Sequence, residues 1–327
     1  MKLKKQSNLA VLGCGAVTAN FYVPALKSIK AHPKFFIDKD LESAEKVSGK
    51  FKNSIATDNI DNIINEFDEA IITLPNNLHH PFALKLIQDG KHLLIEKPIT
   101  INSKESQELL NLSKENDVKI ICGNMRRQLR SALFIKELIR SKTLGNILKF
   151  KCREGGVFNW PIQSANFWDK ENSGGGVLMD TGSHTLEQII YHFGIPESIE
   201  YMDNRIDNIE SDCFLKMRYQ NYYGTLQLSR TIGLDCKMFI KFEKGNVVFD
   251  VIGNKIELDC DDSLIPDTGI ENFSQAGQSY DNLIAKQIIE WYNYISGEKA
   301  NIVSINDAHN VMKIIDDCYS NSKRLDF

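Results

Sequence analysis

From residue 8 to 122, short β-branched and aromatic runs alternate with stretches of helical period, the pattern of βαβ units on a doubly wound parallel sheet. Strands are expected at 9–12, 35–38, 70–73, 93–96 and 120–122, with helices between them. The stretch 103–116 shows the helical period most clearly, because Leu109, Leu110 and Leu112 supply an apolar face and Ser103 can cap its start. After Asn124 the pattern changes. A helix over about 132–141 leads through Gly145 into strand-like residues, then a loop rich in Trp and Gly, then a second helix over 177–193. Period-two alternation follows near 198–206, 211–219, 223–231, 236–243, 246–251 and 255–259, with turn signals at Gln220-Asn221, Lys244-Gly245 and Gly253-Asn254. Consecutive hairpins of this kind predict a largely antiparallel sheet. Helices over about 280–296 and 306–322 close the chain, the last capped by Ser304 or Asn306. Two domains are expected, an α/β domain over 1–123 and an α+β domain over 124–327, with no low-complexity linker between them.

Composition narrows the partners. A chain of 327 residues exceeds what one core usually supports, which agrees with two domains. With 42% hydrophobic and 25% charged residues it is an ordinary globular sequence, and a formal net charge of −4 gives no general attraction for polyanions, so nucleic acid is not expected. Lys2, Lys4 and Lys5 precede an apolar run of only four residues, too short for the core of a signal peptide. No window approaches the ~18 apolar residues of a membrane helix. The seven cysteines are odd in number and include no C-x-x-C pair, which reads as reduced thiols in the cytoplasm.

The first strand runs into Gly13-Cys14-Gly15-Ala16-Val17-Thr18 and then a helix. In a Rossmann dinucleotide site the first glycine permits the tight turn and the second lets the pyrophosphate reach the backbone at a helix N-terminus. Thr18 stands where a third glycine is often found. Asp38 ends the second strand, where an acid bonds the adenosine ribose hydroxyls and repels a 2′-phosphate, favouring NAD(H) over NADP(H); Lys39, next to it, partly offsets that repulsion and keeps NADP(H) open. Pro75-Asn76-Asn77-Leu78-His79 and Glu96-Lys97-Pro98 follow later strands, at the sheet edge where ligands bind. Further on, Gly174-Gly175-Gly176 approach a helix on which Asp180 and His184 are four apart, hence on one face, so that an acid and an imidazole can act on one substrate hydroxyl.

These motifs, GCGAVT, FFIDKD, LPNNLHH, IEKP, MRRQLR and GGGVLMDTGSH, occur in the order found in the glucose-fructose oxidoreductase, inositol dehydrogenase and MocA group, and over essentially its whole length the chain resembles that family. The resemblance implies an N-terminal Rossmann fold, a C-terminal α+β domain on a large open sheet, and a homo-oligomer, dimer or tetramer, formed by packing those sheets. By the same resemblance Gly13, Gly15, Asp38, Pro75, Asn76, His79 and Glu96 would line the cofactor, and Lys97, Asp180 and His184 would face the reacting carbon. Cys14, Ala16, Val17 and Lys39 belong to the same cofactor segments. Arg126 or Arg127 can reach a substrate anion, with Arg127 the candidate, and Trp160 can cover the nicotinamide or a sugar face, or serve as a core aromatic. No His cluster shows metal-ligand spacing, and no catalytic metal is expected.

The expected chemistry is hydride transfer between a nicotinamide cofactor and a secondary alcohol or ketone carbon. Lys97 as a cation polarises the oxygen, and His184, an imidazole that exchanges protons near neutrality, carries the proton while Asp180 orients substrate and imidazole. The roles of Lys97 and His184 are interchangeable on sequence grounds. The resemblance implies a sugar, polyol or nucleotide sugar as substrate. Two other readings stand beside this one: a glycoside hydrolase working by transient oxidation with retained NAD, and a non-catalytic dinucleotide sensor.

Overall fold

The structure is a computed structural model and describes residues 8–157, 169–205, 209–264 and 279–325. The chain divides into two compact units, one of residues 1–125 with 279–309 and one of 126–278 with 310–327. Residues 279–309 fold with residues 1–125, although the second unit lies between them in the chain.

In the first unit β1 (Leu9–Leu12) leads through the glycine turn and a π-helical turn (Thr18–Tyr22) into α1 (Val23–Ser28). There follow β2 (Phe35–Ile37), α2 (Leu41–Ser48), β3 (Ile55–Thr57), β4 (Glu69–Ile72), α3 (Asn76–Gln88), β5 (His92–Ile95), α4 (Ser103–Glu115) and β6 (Ile120–Cys122). The strands are all parallel, in the order β3-β2-β1-β4-β5-β6. Because both faces of such a sheet are covered, its central strands are apolar throughout, and every residue of β1 and β4 is buried. The order reverses between β1 and β4, so ligands are expected at the carboxyl ends of those two strands. Strand β3 was not among the expected strands; it has three residues, none of them buried. Helix α4 is capped by Asn102, whose Oδ1 accepts the Glu105 N–H at 2.9 Å while its amide donates back to Glu105, so Ser103 is not the cap.

The second unit continues with α5 (Arg130–Ser141), β7 (Ile147–Gly155), α6 (Lys170–Ser173), α7 (Val177–Phe193), β8 (Ser198–Asp203), β9 (Asp212–Arg218), β10 (Tyr223–Ser229), β11 (Lys237–Phe242), β12 (Gly245–Asp250) and β13 (Ile256–Cys260). Helix α8 (Tyr280–Ile295) packs on α1 in the first unit, with Trp291 and Ile288 fully buried. The division between units falls within α9 (Ile305–Ser320), whose start is held by a reciprocal Ser304–Asp307 cap, and β14 (Lys323–Arg324) ends the described chain. The large sheet has the order β13-β12-β11-β7-β10-β9-β8-β14. It is mostly antiparallel, as the hairpin pattern predicts, but β10 and β11 do not pair. The long strand β7 lies between them, parallel to β10.

Alternation along these strands separates two faces. Cys213, Leu215 and Met217 of β9, Leu226 and Leu228 of β10 and Phe150 and Cys152 of β7 are buried, and helices α5 and α7 form the layer associated with this core. The alternate residues, among them Phe214, Lys216, Thr225, Lys149, Lys151, Phe239 and Lys241, are partly or fully exposed. That second face is a mixture of aromatic and basic side chains. No helix among the described residues is long and apolar enough to cross a membrane.

Candidate active site

In the first unit the loops after β1, β2, β4 and β5 carry the expected cofactor residues. Gly13 has φ +95°, and a Cβ there would lie 2.7 Å from the Thr73 carbonyl oxygen, so the turn accepts only glycine. Gly15 is exposed, and a Cβ on it would meet nothing within 4 Å. Open space therefore faces the backbone where the helix begins at Ala16 and Val17, as an anion bound at a helix N-terminus requires. Thr18 replaces the third glycine without conflict: it is fully buried, its hydroxyl donates to the Gly13 carbonyl at 2.6 Å and it shares a 2.7 Å hydrogen bond with Thr73. The Cys14 thiol is buried, and burial together with Asp38 pushes its pKa up to about 12, so the thiol is inert and this residue can contribute only backbone to a ligand.

Asp38 does more than end a strand. Its Oδ2 accepts the Cys14 N–H at 2.7 Å and its Oδ1 the Asp40 N–H at 3.0 Å, which ties the glycine turn to the loop after β2. A carboxylate offers about four lone-pair sites, so ribose hydroxyls can still be accepted. Lys39 is exposed beside it.

Pro75 is exposed at the start of α3, with Asn76 partly exposed next to it. His79 lies near the start of α3. It is fully buried, with Nε2 2.7 Å from the Leu74 carbonyl and Nδ1 2.8 Å from that of Pro98. Burial pushes its pKa down, so the imidazole is held neutral and its single N–H serves one of the two carbonyls. Its role is to join the loop after β4 to the loop after β5. Glu96 accepts the Tyr22 hydroxyl at 2.6 Å and the Lys97 N–H at 3.0 Å, and burial raises its pKa. Lys97 is partly exposed and is followed by a cis peptide to Pro98.

In the second unit the site is built on α7. The Gly174-Gly175-Gly176 approach has a steric cause: a Cβ on Gly175 would lie 2.1 Å from the Tyr319 hydroxyl and one on Gly176 2.0 Å from the Glu210 carbonyl oxygen. Glu210, with no exposed surface, caps the helix from outside it. Its carboxylate accepts Gly176 N–H at 3.1 Å, Leu178 N–H at 2.8 Å and the Tyr319 hydroxyl at 2.8 Å, and its carbonyl accepts Val177 N–H at 3.0 Å. Orphan donors at the helix start are thereby satisfied, and a carboxylate meets the positive end of the helix dipole. Along the first three turns Asp180, Thr181 and His184 are partly exposed while their neighbours are buried, so the helix offers one polar window. Arg230, immediately after β10, bonds Asp180 Oδ2 at 2.8 Å.

Arg126 and Arg127 are both buried, where adjacent arginines are more often half exposed. Arg126 makes a two-pronged pair with Glu154 at 2.8 and 2.6 Å, and Glu154 also accepts the Thr185 hydroxyl of α7. Arg127 bonds Glu187 at 2.5 Å and lies 4.7 Å over the Tyr191 ring, so the structure gives it a buried partner on α7. Trp160 lies outside the described residues. Glu210, Tyr319 and Arg230 were invisible to sequence reasoning; no local motif marks them. Among the described residues no group of three His, Cys, Asp or Glu side chains is placed to hold a metal ion.

A doubly wound sheet with a glycine turn open at its switch point and an acid at the end of β2 defines a dinucleotide-binding protein. Family models agree. Residues 7–124 match an oxidoreductase family with an NAD-binding Rossmann fold, and residues 133–248 match the Gfo/Idh/MocA C-terminal domain. The chain belongs to the Gfo/Idh/MocA oxidoreductase family. It is similar to an oxidoreductase of Schizosaccharomyces pombe, 29% identical over 72% of this chain and 68% of that one. It is also similar to the NADP-dependent scyllo-inositol 2-dehydrogenase of Bacillus subtilis, 28% identical over 58% of this chain and 53% of that one, about half its length. Among solved structures, the WlbA dehydrogenase of Bordetella pertussis in complex with NADH and UDP-GlcNAcA has the same fold, with a TM-score of 0.83, 16% identity, and coverage of 98% of this chain and 96% of that one.

Proposed function

We propose that this oxidoreductase acts as a dehydrogenase or reductase on a secondary alcohol or ketone carbon of a sugar, polyol or nucleotide sugar, with NAD(H) favoured over NADP(H). The observation that carries the reading is the polar window of α7, where Asp180, Thr181 and His184 are partly exposed and the other residues from Val177 to Ile189 are buried. A nicotinamide cofactor bound at the glycine turn supplies or takes the hydride. Gly15 and the first N–H groups of the following helix hold its phosphates, and Asp38 its ribose. Lys97 stabilises negative charge on the reacting oxygen, His184 moves the proton, and Asp180 accepts a hydrogen bond from the substrate. The inositol and UDP-sugar ligands named for the relatives support a polyhydroxylated substrate, and the half-open Asp38 carboxylate supports NAD(H). Seven free thiols support work in the cytoplasm, and the aromatic residues on the uncovered sheet face support a homo-oligomer, which light scattering reading 37.2 kDa would refute.

The test is a screen of sugars, polyols and nucleotide sugars for NADH production or consumption. Conversion of a substrate without free NADH appearing points instead to glycoside cleavage by transient oxidation. Tight cofactor binding with no conversion of any class would overturn the catalytic reading.

A further inference from the structure

Arg230 is carried to Asp180 by a clamp at the end of β10. The Arg230 N–H donates to the Ser211 carbonyl at 2.8 Å. The next residue of that segment, Asp212, is buried and accepts the Thr231 hydroxyl at 2.7 Å, the Asn204 amide at 2.7 Å and the Ser229 hydroxyl. Residues on both sides of Arg230 are thus fixed, and its guanidinium is delivered with a side-chain exposure of 6% to a carboxylate that is 29% exposed. The pair is asymmetric: the cation is anchored from inside and the anion reaches towards solvent. A guanidinium does not lose its proton in proteins, so one that is buried needs a fixed anion opposite.

We propose that Arg230 is a positioning residue for Asp180, a proposal that rests on the role given to Asp180 above. Arg230 holds the Asp180 carboxylate ionised and in one orientation, so Asp180 serves as a hydrogen-bond acceptor for a substrate hydroxyl and not as a proton carrier. Proton movement on α7 then falls to His184, one turn along. Among the described residues, other charged groups on and around this helix have partners of their own: Glu210 with Tyr319 at its start, Glu154 with Arg126 at Thr185, Glu187 with Arg127, and Lys136 of α5 at the Tyr191 carbonyl, while the His192 imidazole is buried further along the helix. Arg230 bonds Asp180 from the end of β10.

The decisive measurement needs no substrate. Protein labelled with 13C at the aspartate carboxyl carbons is titrated with NADH present, and the Asp180 signal is identified by its loss in Asp180→Asn. In Arg230→Gln the midpoint of that signal is expected to move up by about one unit or more, since an adjacent opposite charge moves a carboxyl by about 1–3 units; Arg230→Lys should restore most of the shift. A midpoint shared by native protein and Arg230→Gln overturns the proposal. Should Arg230→Gln fail to fold, a native Asp180 midpoint at or above the ordinary ~3.9 overturns it equally. On a substrate found by the screen, Arg230→Gln should lower kcat at least 10-fold with NADH affinity unchanged, and should cost nothing more in an Asp180→Asn background. Additive losses in that double variant overturn the positioning role. A screen that finds no substrate would sink the catalytic reading and leave the carboxyl titration to decide the Asp180–Arg230 coupling.

Discussion

Replacing Asp38 by Asn removes a charge and keeps the shape of the side chain, which separates its two duties. The carboxylate accepts Cys14 N–H at 2.7 Å and Asp40 N–H at 3.0 Å, and Asn retains one acceptor oxygen for this pair. A hydrogen bond of this kind, partly exposed, contributes about 0.5–1.5 kcal/mol net, so the glycine turn should loosen slightly and the melting temperature fall by a few degrees at most. The larger effect is electrostatic. Two unit charges at about 4 Å interact by roughly 4 kcal/mol at an effective dielectric of ~20. Asp38 is partly exposed and Lys39 lies beside it, so after screening about 1.4–2.8 kcal/mol of discrimination against a 2′-phosphate remains, or ~10- to 100-fold. The assay is fluorescence titration of NADH and NADPH into native protein and Asp38→Asn at fixed low ionic strength. Native protein should bind NADH at least 10-fold more tightly, the variant should lose most of that ratio, and added salt should narrow the native gap. Native protein that binds NADPH as tightly as NADH, or a ratio untouched by Asp38→Asn, would refute the reasoning and hand cofactor choice to Lys39.

Glycines 15 and 176 should separate binding from folding. Gly176→Ala brings a Cβ to 2.0 Å from the Glu210 carbonyl and should cost about 1–3 kcal/mol or more, seen as a lower melting temperature, whereas Gly15→Ala meets no atom and should leave melting unchanged while weakening NADH binding about 10-fold. His192 is buried against the rings of Tyr191, Phe193 and Phe249 with no hydrogen-bond partner for either nitrogen among the described residues, and burial pushes its pKa down to about 3. Because the unfolded chain takes up a proton below ~6.5 and the folded one does not, this stability is present at pH 7 and is lost as pH falls from there towards 3. By pH 5 the loss is about 2 kcal/mol in urea unfolding, and His192→Phe should remove that loss. Lys97→Met should abolish turnover and His184→Asn should lower it by ~10²- to 10⁴-fold, both retaining NADH affinity by titration; near-native rates in both would show that the chemistry lies elsewhere.

Short-range order in this protein is written in its sequence. The apolar runs of β1, β4 and β5, the glycine turn and the cap of α9 follow from two-residue and 3.6-residue periods and from the φ that glycine alone adopts easily, and these are properties of neighbours in the chain. The Asp180 and His184 spacing belongs to the same class, since helix geometry alone puts them on one face. Long-range partners do not. That β7 would part β10 from β11, that residues 279–309 would return to the first unit, and that Glu210 would cap α7 depend on which surfaces meet after folding. The same holds for His79, a motif residue that the fold turns inward between two carbonyls, and for Arg127, whose charge is met by Glu187 sixty residues away. Polar residues announce a capacity for bonding, but burial decides what each one bonds, and burial is set by packing between segments distant in sequence.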